Sequence, residues 1–155
     1  MQNKPLLKAL LTTLLILLLC ACDRQQVYSH YEHIDSEGWE RSDTIYFSIP
    51  SIRESGDYQM TVGVRSKLSY PFQELVLNVH NTILPKAENR RYTINCQIYD
   101  HDGEADNGIA YIQHEYPVGI ISLSQEDSIR IAITHHMQQW QVRGISDIGI
   151  SLRRQ

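Results

Sequence analysis

Between residues 127 and 137 the chain reads DSIRIAITHHM, in which Ile129, Ile131 and Ile133 alternate with Arg130, Ala132 and Thr134. A repeat of two places the three isoleucines on one side of an extended strand, whereas a helix would scatter them around its circumference. The same grammar recurs along the chain after Ser42. Residues 43–49 align Ile45, Phe47 and Ile49, and Pro50, which has no amide donor, ends the run. Residues 58–65 align Tyr58, Met60, Val62 and Val64, and residues 74–80 set Leu75, Leu77 and Val79 inward with Val76 opposite. Residues 91–99 align Tyr92, Ile94, Cys96 and Ile98; residues 109–116 and 147–153 complete the series, the last with Ile148, Ile150 and Leu152.

Turn-forming residues separate these runs: Ser55-Gly56-Asp57, Ser69-Tyr70-Pro71, Asp102-Gly103 and Gln125-Glu126-Asp127. No window carries a sustained 3.6-residue apolar stripe. Alternating strands with short links predict an all-β fold, an antiparallel β-sandwich of jelly-roll or Ig-like type with about seven to eight strands, each sheet apolar on its inner face. A slip of one residue would turn Ile129, Ile131 and Ile133 to water, so the pattern specifies the pairing strongly.

The N-terminus obeys a different rule. Lys4 and Lys8 precede a leucine-rich run that stops at Leu19, and charge returns at Asp23 and Arg24. The uninterrupted stretch is about a dozen residues, short of the roughly 20 needed to span a bilayer, and has the shape of a signal peptide. Small Ala21 precedes Cys22 and bulky Leu19 precedes Cys20, so Leu19-Cys20-Ala21-Cys22 resembles a bacterial lipobox cut before Cys22. Cys22 is then the expected lipid-attachment residue, an S-diacylglycerol cysteine that is also N-acylated, and Cys20 leaves with the signal. An ordinary secretory signal is the bland alternative. A Cys20–Cys22 disulfide would close a loop of one residue, against normal disulfide geometry. The expected organisation is a signal peptide over residues 1–21, a lipidated N-terminus and tether/entry segment over residues 22–42, from which Tyr28, Tyr31 and Trp39 can fold back onto the core, and the sandwich over residues 43–155.

Losing Lys4 and Lys8 with the signal leaves 12 basic against 18 acidic residues, a formal charge of −6. Such a chain has no basic face for nucleic acid, and export makes a nucleic-acid partner doubly unsuitable. Cys96 is the one thiol left, so an exported domain of this size must be held by apolar burial rather than by an internal disulfide.

Chemistry-bearing motifs are sparse. Residues 100–108, DHDGEADNG, are rich in oxygen ligands, but glycine is fourth where a calcium loop wants it sixth, and Tyr111 stands where the bidentate glutamate belongs. An acidic solvated turn is the expected reading. His135 and His136 are adjacent and on a strand point to opposite faces, so they cannot chelate one ion together. No Gly-x-Ser-x-Gly elbow occurs, and Cys96 falls on the apolar side of its strand, where a thiol acts as a small hydrophobe. No cofactor and no small-molecule substrate are expected. Trp39, Tyr70 and Trp140 lie in or near predicted loops and are the candidate binding residues, since exposed aromatics stack on sugar faces. The competing expectation is that Trp39 and Trp140 plug the ends of the sandwich and that Tyr70-Pro71-Phe72 fixes a tight corner.

In order along the chain, the lipobox ending at Cys22 is followed by Asp23-Arg24 and Val27-Tyr28, Gly38-Trp39, the run from Tyr58 to Arg65, Tyr70-Pro71-Phe72-Gln73-Glu74-Leu75, and Gly144-Ile145-Ser146-Asp147-Ile148-Gly149-Ile150. This joined series resembles the gliding motility lipoproteins called GldH, found in Bacteroidetes, nearly end to end. The resemblance implies a non-catalytic lipoprotein of the cell envelope, anchored by palmitate-type chains, with the outer membrane as its expected location. It implies as partners the membrane lipid and other gliding and type IX secretion lipoproteins and envelope proteins. It brings no active-site residues. The alternative from another class is a glycan-binding sandwich lipoprotein.

Overall fold

The computed structural model describes residues 25–98 and 111–155, and every regular element among them is a strand. The signal peptide, Cys22 and the acidic stretch of residues 100–108 lie outside the described residues. The strands are β1 (Gln26–His33), β2 (Trp39–Glu40), β3 (Ile45–Ile49), β4 (Gly56–Ser66), β5 (Glu74–Leu84), β6 (Glu88–Gln97), β7 (Ile112–Leu123), β8 (Ser128–His135), β9 (Gln141–Val142) and β10 (Ile145–Arg154).

One sheet has the order β1-β10-β4-β7, the other β3-β8-β5-β6, and β2 and β9 form a small separate ribbon. All pairings are antiparallel. Among the long strands only β5 and β6 are consecutive neighbours in one sheet, and each of the other links carries the chain across to the opposite sheet. Of the two expected sandwich types, this is the strand order of a jelly roll.

The inner faces of both sheets meet in one core. Ile129, Ile131 and Ile133 of β8 stand between Ile49, Phe47 and Ile45 of β3 on one side and Ile83, Asn81 and Val79 of β5 on the other. Burying one such side chain contributes about 1.5–3 kcal/mol, so a slip exposing all three would forfeit about 5–9 kcal/mol, comparable to the whole stability of a domain. Register is therefore decided by the apolar rows, as the alternation predicts. Cys96 is buried on the inner side of β6, and burial pushes its thiol up to about 12, which keeps it a neutral packing group.

Besides the short β2-β9 ribbon, which no predicted run covers, three long strands depart from the sequence expectation for identifiable reasons. Gln26–His33, assigned to the tether, forms an edge strand against β10 from Gln26↔Arg153 to His33↔Asp147. Six of its eight residues are exposed, so no apolar row announces it. Strand β5 continues past His80 to Leu84, which the alternation hides because the next inward residue is Asn81, a fully buried polar side chain that breaks the apolar row. Strand β7 runs through Pro117 to Leu123; it is an edge strand, and the register shift opposite Met60 and Thr61 makes Val118 the extra residue of a bulge.

Antiparallel order sorts the connections between two ends. The end where β1 begins also holds the end of β3, since Gln26, Val27, Ile49, Pro50 and Ile52 line one hollow there. It carries the β3–β4, β5–β6 and β7–β8 connections. The opposite end carries residues 34–44, 67–73 and 136–144.

Candidate functional site

The candidate binding residues separate sharply. Trp39 is only 2% exposed, its Nε1 donates to the Asp43 carbonyl at 3.1 Å, and its ring meets His135 edge-on at 5.3 Å. It plugs the end of the sandwich, as expected. Trp140 does not: it is 61% exposed, which corrects the expectation that both tryptophans are plugs. The reason lies in its backbone. Arg41 Nη2 donates to the carbonyls of Met137 and Gln138, each at 2.5 Å, and the Arg41 amide donates to the Trp140 carbonyl at 2.7 Å. The segment is pinned by its main chain, leaving the indole turned to solvent. With Trp39 sealed, the two tryptophans do not form a shared stacking platform.

Tyr70 is half-buried at the same end. Its hydroxyl donates to the Glu74 carbonyl at 2.9 Å and its ring stands edge-on to Phe72 at 5.6 Å, the tight corner expected of Tyr70-Pro71-Phe72. That corner rests on Gly144, which has φ +92; a Cβ there would fall 2.8 Å from the Tyr70 Cα, so only glycine fits. The Lys67 amide donates to the Gly144 carbonyl at 2.7 Å. Two sequence motifs far apart in the chain, Tyr70-Pro71-Phe72 and Gly144-Ile145-Ser146, are thus one piece of structure.

Phe72 separates two grooves. One, of about 330 Å³, is lined by Leu68, Tyr70, Phe72, Ile98 and Ile112; the other, of about 740 Å³, by Phe72, Glu74, Val76, His136 and Met137. Met137 is held there by its sulfur, 3.3 Å from the Val76 amide. Leu68, 46% exposed, adds apolar surface beside the first groove. Sequence reading does not offer Leu68, Phe72 or Met137 as binding residues: Leu68 lies in a connection, where periodicity carries no information, Phe72 reads only as part of a tight corner, and Met137 stands at the end of a run that reads as a strand, which stops at His135.

Titratable groups are dispersed. His135 is buried and His136 exposed, on opposite sides as the strand rule requires. Among the described residues no group of three or more His, Cys, Asp or Glu is placed to hold a metal ion. Burial raises the Tyr70 hydroxyl, and Cys96 and Glu74 act in the same direction, so the phenol stays a neutral donor. Asp127 carries the most defined ionic contact: its Oδ2 accepts from Lys86 Nζ at 2.7 Å and from the Ser124 amide at 2.8 Å. That arrangement ties the β5–β6 turn to the β7–β8 turn and touches neither groove.

Several known proteins are similar to this chain. A 4-O-methyl-alpha-glucuronidase with specificity for decorated arabinogalactans aligns with a TM-score of 0.49 at 15% identity, over 86% of this chain and 18% of its own. A protein of Sulfurospirillum deleyianum aligns with a TM-score of 0.44 at 10% identity, over 83% of this chain and 98% of its own. In sequence, the gliding motility lipoprotein GldH of Flavobacterium johnsoniae is 28% identical over 87 residues, which are 56% of this chain and 54% of that protein. The match thus spans about half the length of that relative. Residues 26–152, from the first strand to nearly the end of the last, match the family described as GldH lipoprotein, and the chain belongs to that family.

Proposed function

We propose that this chain is a lipid-anchored, non-catalytic protein of the outer membrane that supports gliding motility and the associated type IX secretion machinery through protein contacts. Family membership and the name of the Flavobacterium relative support the motility role. The observation that carries the contact reading is the position of exposed apolar side chains relative to Cys22. Cys22 precedes Gln26 by four residues, a span of at most about 14 Å when fully extended. A lipid on Cys22 therefore holds the Gln26 end of the sandwich against the bilayer and turns the other end away from it. That far end carries exposed Leu68 and Trp140 and half-buried Phe72, whereas exposed Val27 and Ile120 lie towards the membrane-facing end. Exposed apolar residues beside grooves, rimmed by polar ones, suit a partner protein.

The test is capture from membranes of the acylated full-length protein after in-cell crosslinking. Motility or secretion components are expected with the wild-type chain and reduced with Leu68→Ser and Trp140→Ala together. Recovery of no such component overturns the reading, and undiminished recovery with the double variant overturns the assignment of the far end.

A further inference from the structure

The outward face of the β3-β8-β5-β6 sheet differs from the rest of an acidic surface. One row across the four strands runs Tyr46, Ala132, His80, Arg91. The next row contains Arg130 beside Thr82, which donates to Asn89 at 2.7 Å. On the other side, Thr93 donates to Asn78 at 2.9 Å. In a chain with 18 carboxylate side chains, none stands in these three rows. By contrast, the outer face of the other sheet carries Asp57, Glu115 and Asp147.

Among the described residues the arginines of this face are unengaged, as is Arg53 off it. Arg91 and Arg130 are exposed, and neither has an ion pair or hydrogen bond among the described residues. Elsewhere Arg90 and Arg154 are paired with Glu88 and Glu54, and Arg41 and Arg143 donate to carbonyls. Tyr46 is 70% exposed, and short Ala132 separates it from His80. Between β5 and β6 a shallow hollow of about 340 Å³ is lined by Asn78, His80, Arg91 and Thr93. The Nε2 of His80 is buried without a partner among the described residues.

We infer that this face binds an acidic glycan, a short chain of uronic acid residues laid across the strands. Each component has a matching group. A guanidinium takes a carboxylate in bidentate fashion, amide and hydroxyl side chains take sugar hydroxyls, and an exposed tyrosine offers a flat face to a pyranose ring. Three strand spacings separate Tyr46 from Arg91, roughly 14 Å, the reach of an oligosaccharide rather than of one sugar. A protein partner fits this face less well, because between its arginines there is no cluster of large apolar side chains to form the dry centre of an interface. The inference is independent of the protein-contact reading, which concerns the far end of the sandwich.

The acylated full-length protein in detergent micelles is titrated calorimetrically with hexameric oligogalacturonate and oligomannuronate, with neutral maltohexaose and a polyglutamate peptide as comparators. At least one uronate is expected to bind, with maltohexaose and polyglutamate at least tenfold weaker. Arg91→Gln with Arg130→Gln is expected to weaken uronate binding tenfold or more and Tyr46→Ala severalfold, whereas Arg53→Gln, at another exposed arginine off this face, leaves it unchanged. Binding of neither uronate overturns the inference. So does polyglutamate binding as tightly as the uronate, which would mark an acidic protein segment as the partner, or an equal loss with Arg53→Gln.

Discussion

The ring of Tyr31 lies directly on the backbone of Gly149: a Cβ there would fall 2.6 Å from two of the ring carbons. The same ring covers Gly63, where a Cβ would lie 2.2 Å from the phenolic oxygen, and Arg65 places its guanidinium 3.9 Å from the ring centroid. Tyr31, Gly149 and Gly63 occupy one row across β1, β10 and β4, so the two glycines form the seat that accepts the edge strand's tyrosine. Glycine in a strand interior usually weakens it, and here the aromatic ring restores the lost packing.

Gly149→Ala is accordingly expected to destabilise by about 1–3 kcal/mol, the cost of overpacking. In a Tyr31→Ala background the same change is expected to be neutral or stabilising, because the methyl then meets open space and the unfolded chain loses freedom. Urea unfolding of the four proteins in this cycle measures the coupling; additive effects would separate the glycine from the tyrosine.

Trp39 and Trp140 predict opposite outcomes. Trp39→Ala removes a sealed side chain and should cost about 3–5 kcal/mol, while Trp140→Ala, at an exposed position, should fall within about 0.5 kcal/mol of wild type. Denaturation midpoints distinguish them.

Asp127 predicts an acid limb. Burial would raise its carboxyl, but Lys86 and the Ser124 amide outweigh that and hold it below its ordinary value of 3.8. A depressed folded-state value means the stabilisation is complete above the unfolded value and is lost as pH falls through the folded one. Asp127→Asn should cost about 1–3 kcal/mol near neutrality and make the decline below about pH 4 shallower. Thermal melts across that range give both.

His135 acts in a different window. Burial lowers its basicity below the ordinary 6.5, Arg41 and His136 add to the effect, and a Trp39 backbone hydrogen bond and Asp43 oppose it. Below 6.5 the unfolded chain takes up a proton that the folded one refuses, so stability is full above 6.5 and declines as pH drops towards the folded value. His135→Phe should flatten the slope between about pH 7.5 and pH 5, whatever it does to stability itself. An unchanged slope in urea midpoints would assign the pH dependence to other groups.

If Cys22 carries the proposed lipid, Cys22→Ala should reduce the membrane-bound share of the protein, since two acyl chains make attachment stable. Fractionation with a motility and secretion readout tests this. Restored function from the soluble pool would show that anchoring is dispensable.

The inner rows were legible in the sequence because strand periodicity is local: Leu75, Leu77 and Val79, or Ile129, Ile131 and Ile133, announce a buried face within a few residues. The all-β class follows from them, and so does the buried, inert state of Cys96. What tertiary structure alone decided is non-local. Strand β1 is polar along most of its length and exists as a strand because β10 offers it a register and Gly149 a seat for Tyr31. The jelly-roll order, the meeting of Gly144 with Tyr70 and the row from Tyr46 to Arg91 each join residues distant in sequence, and no periodicity reports which partner closes such a loop. Trp39 and Trp140 are alike in sequence and opposite in exposure, since burial at a connection depends on which backbone groups pin it, here the carbonyls that Arg41 holds.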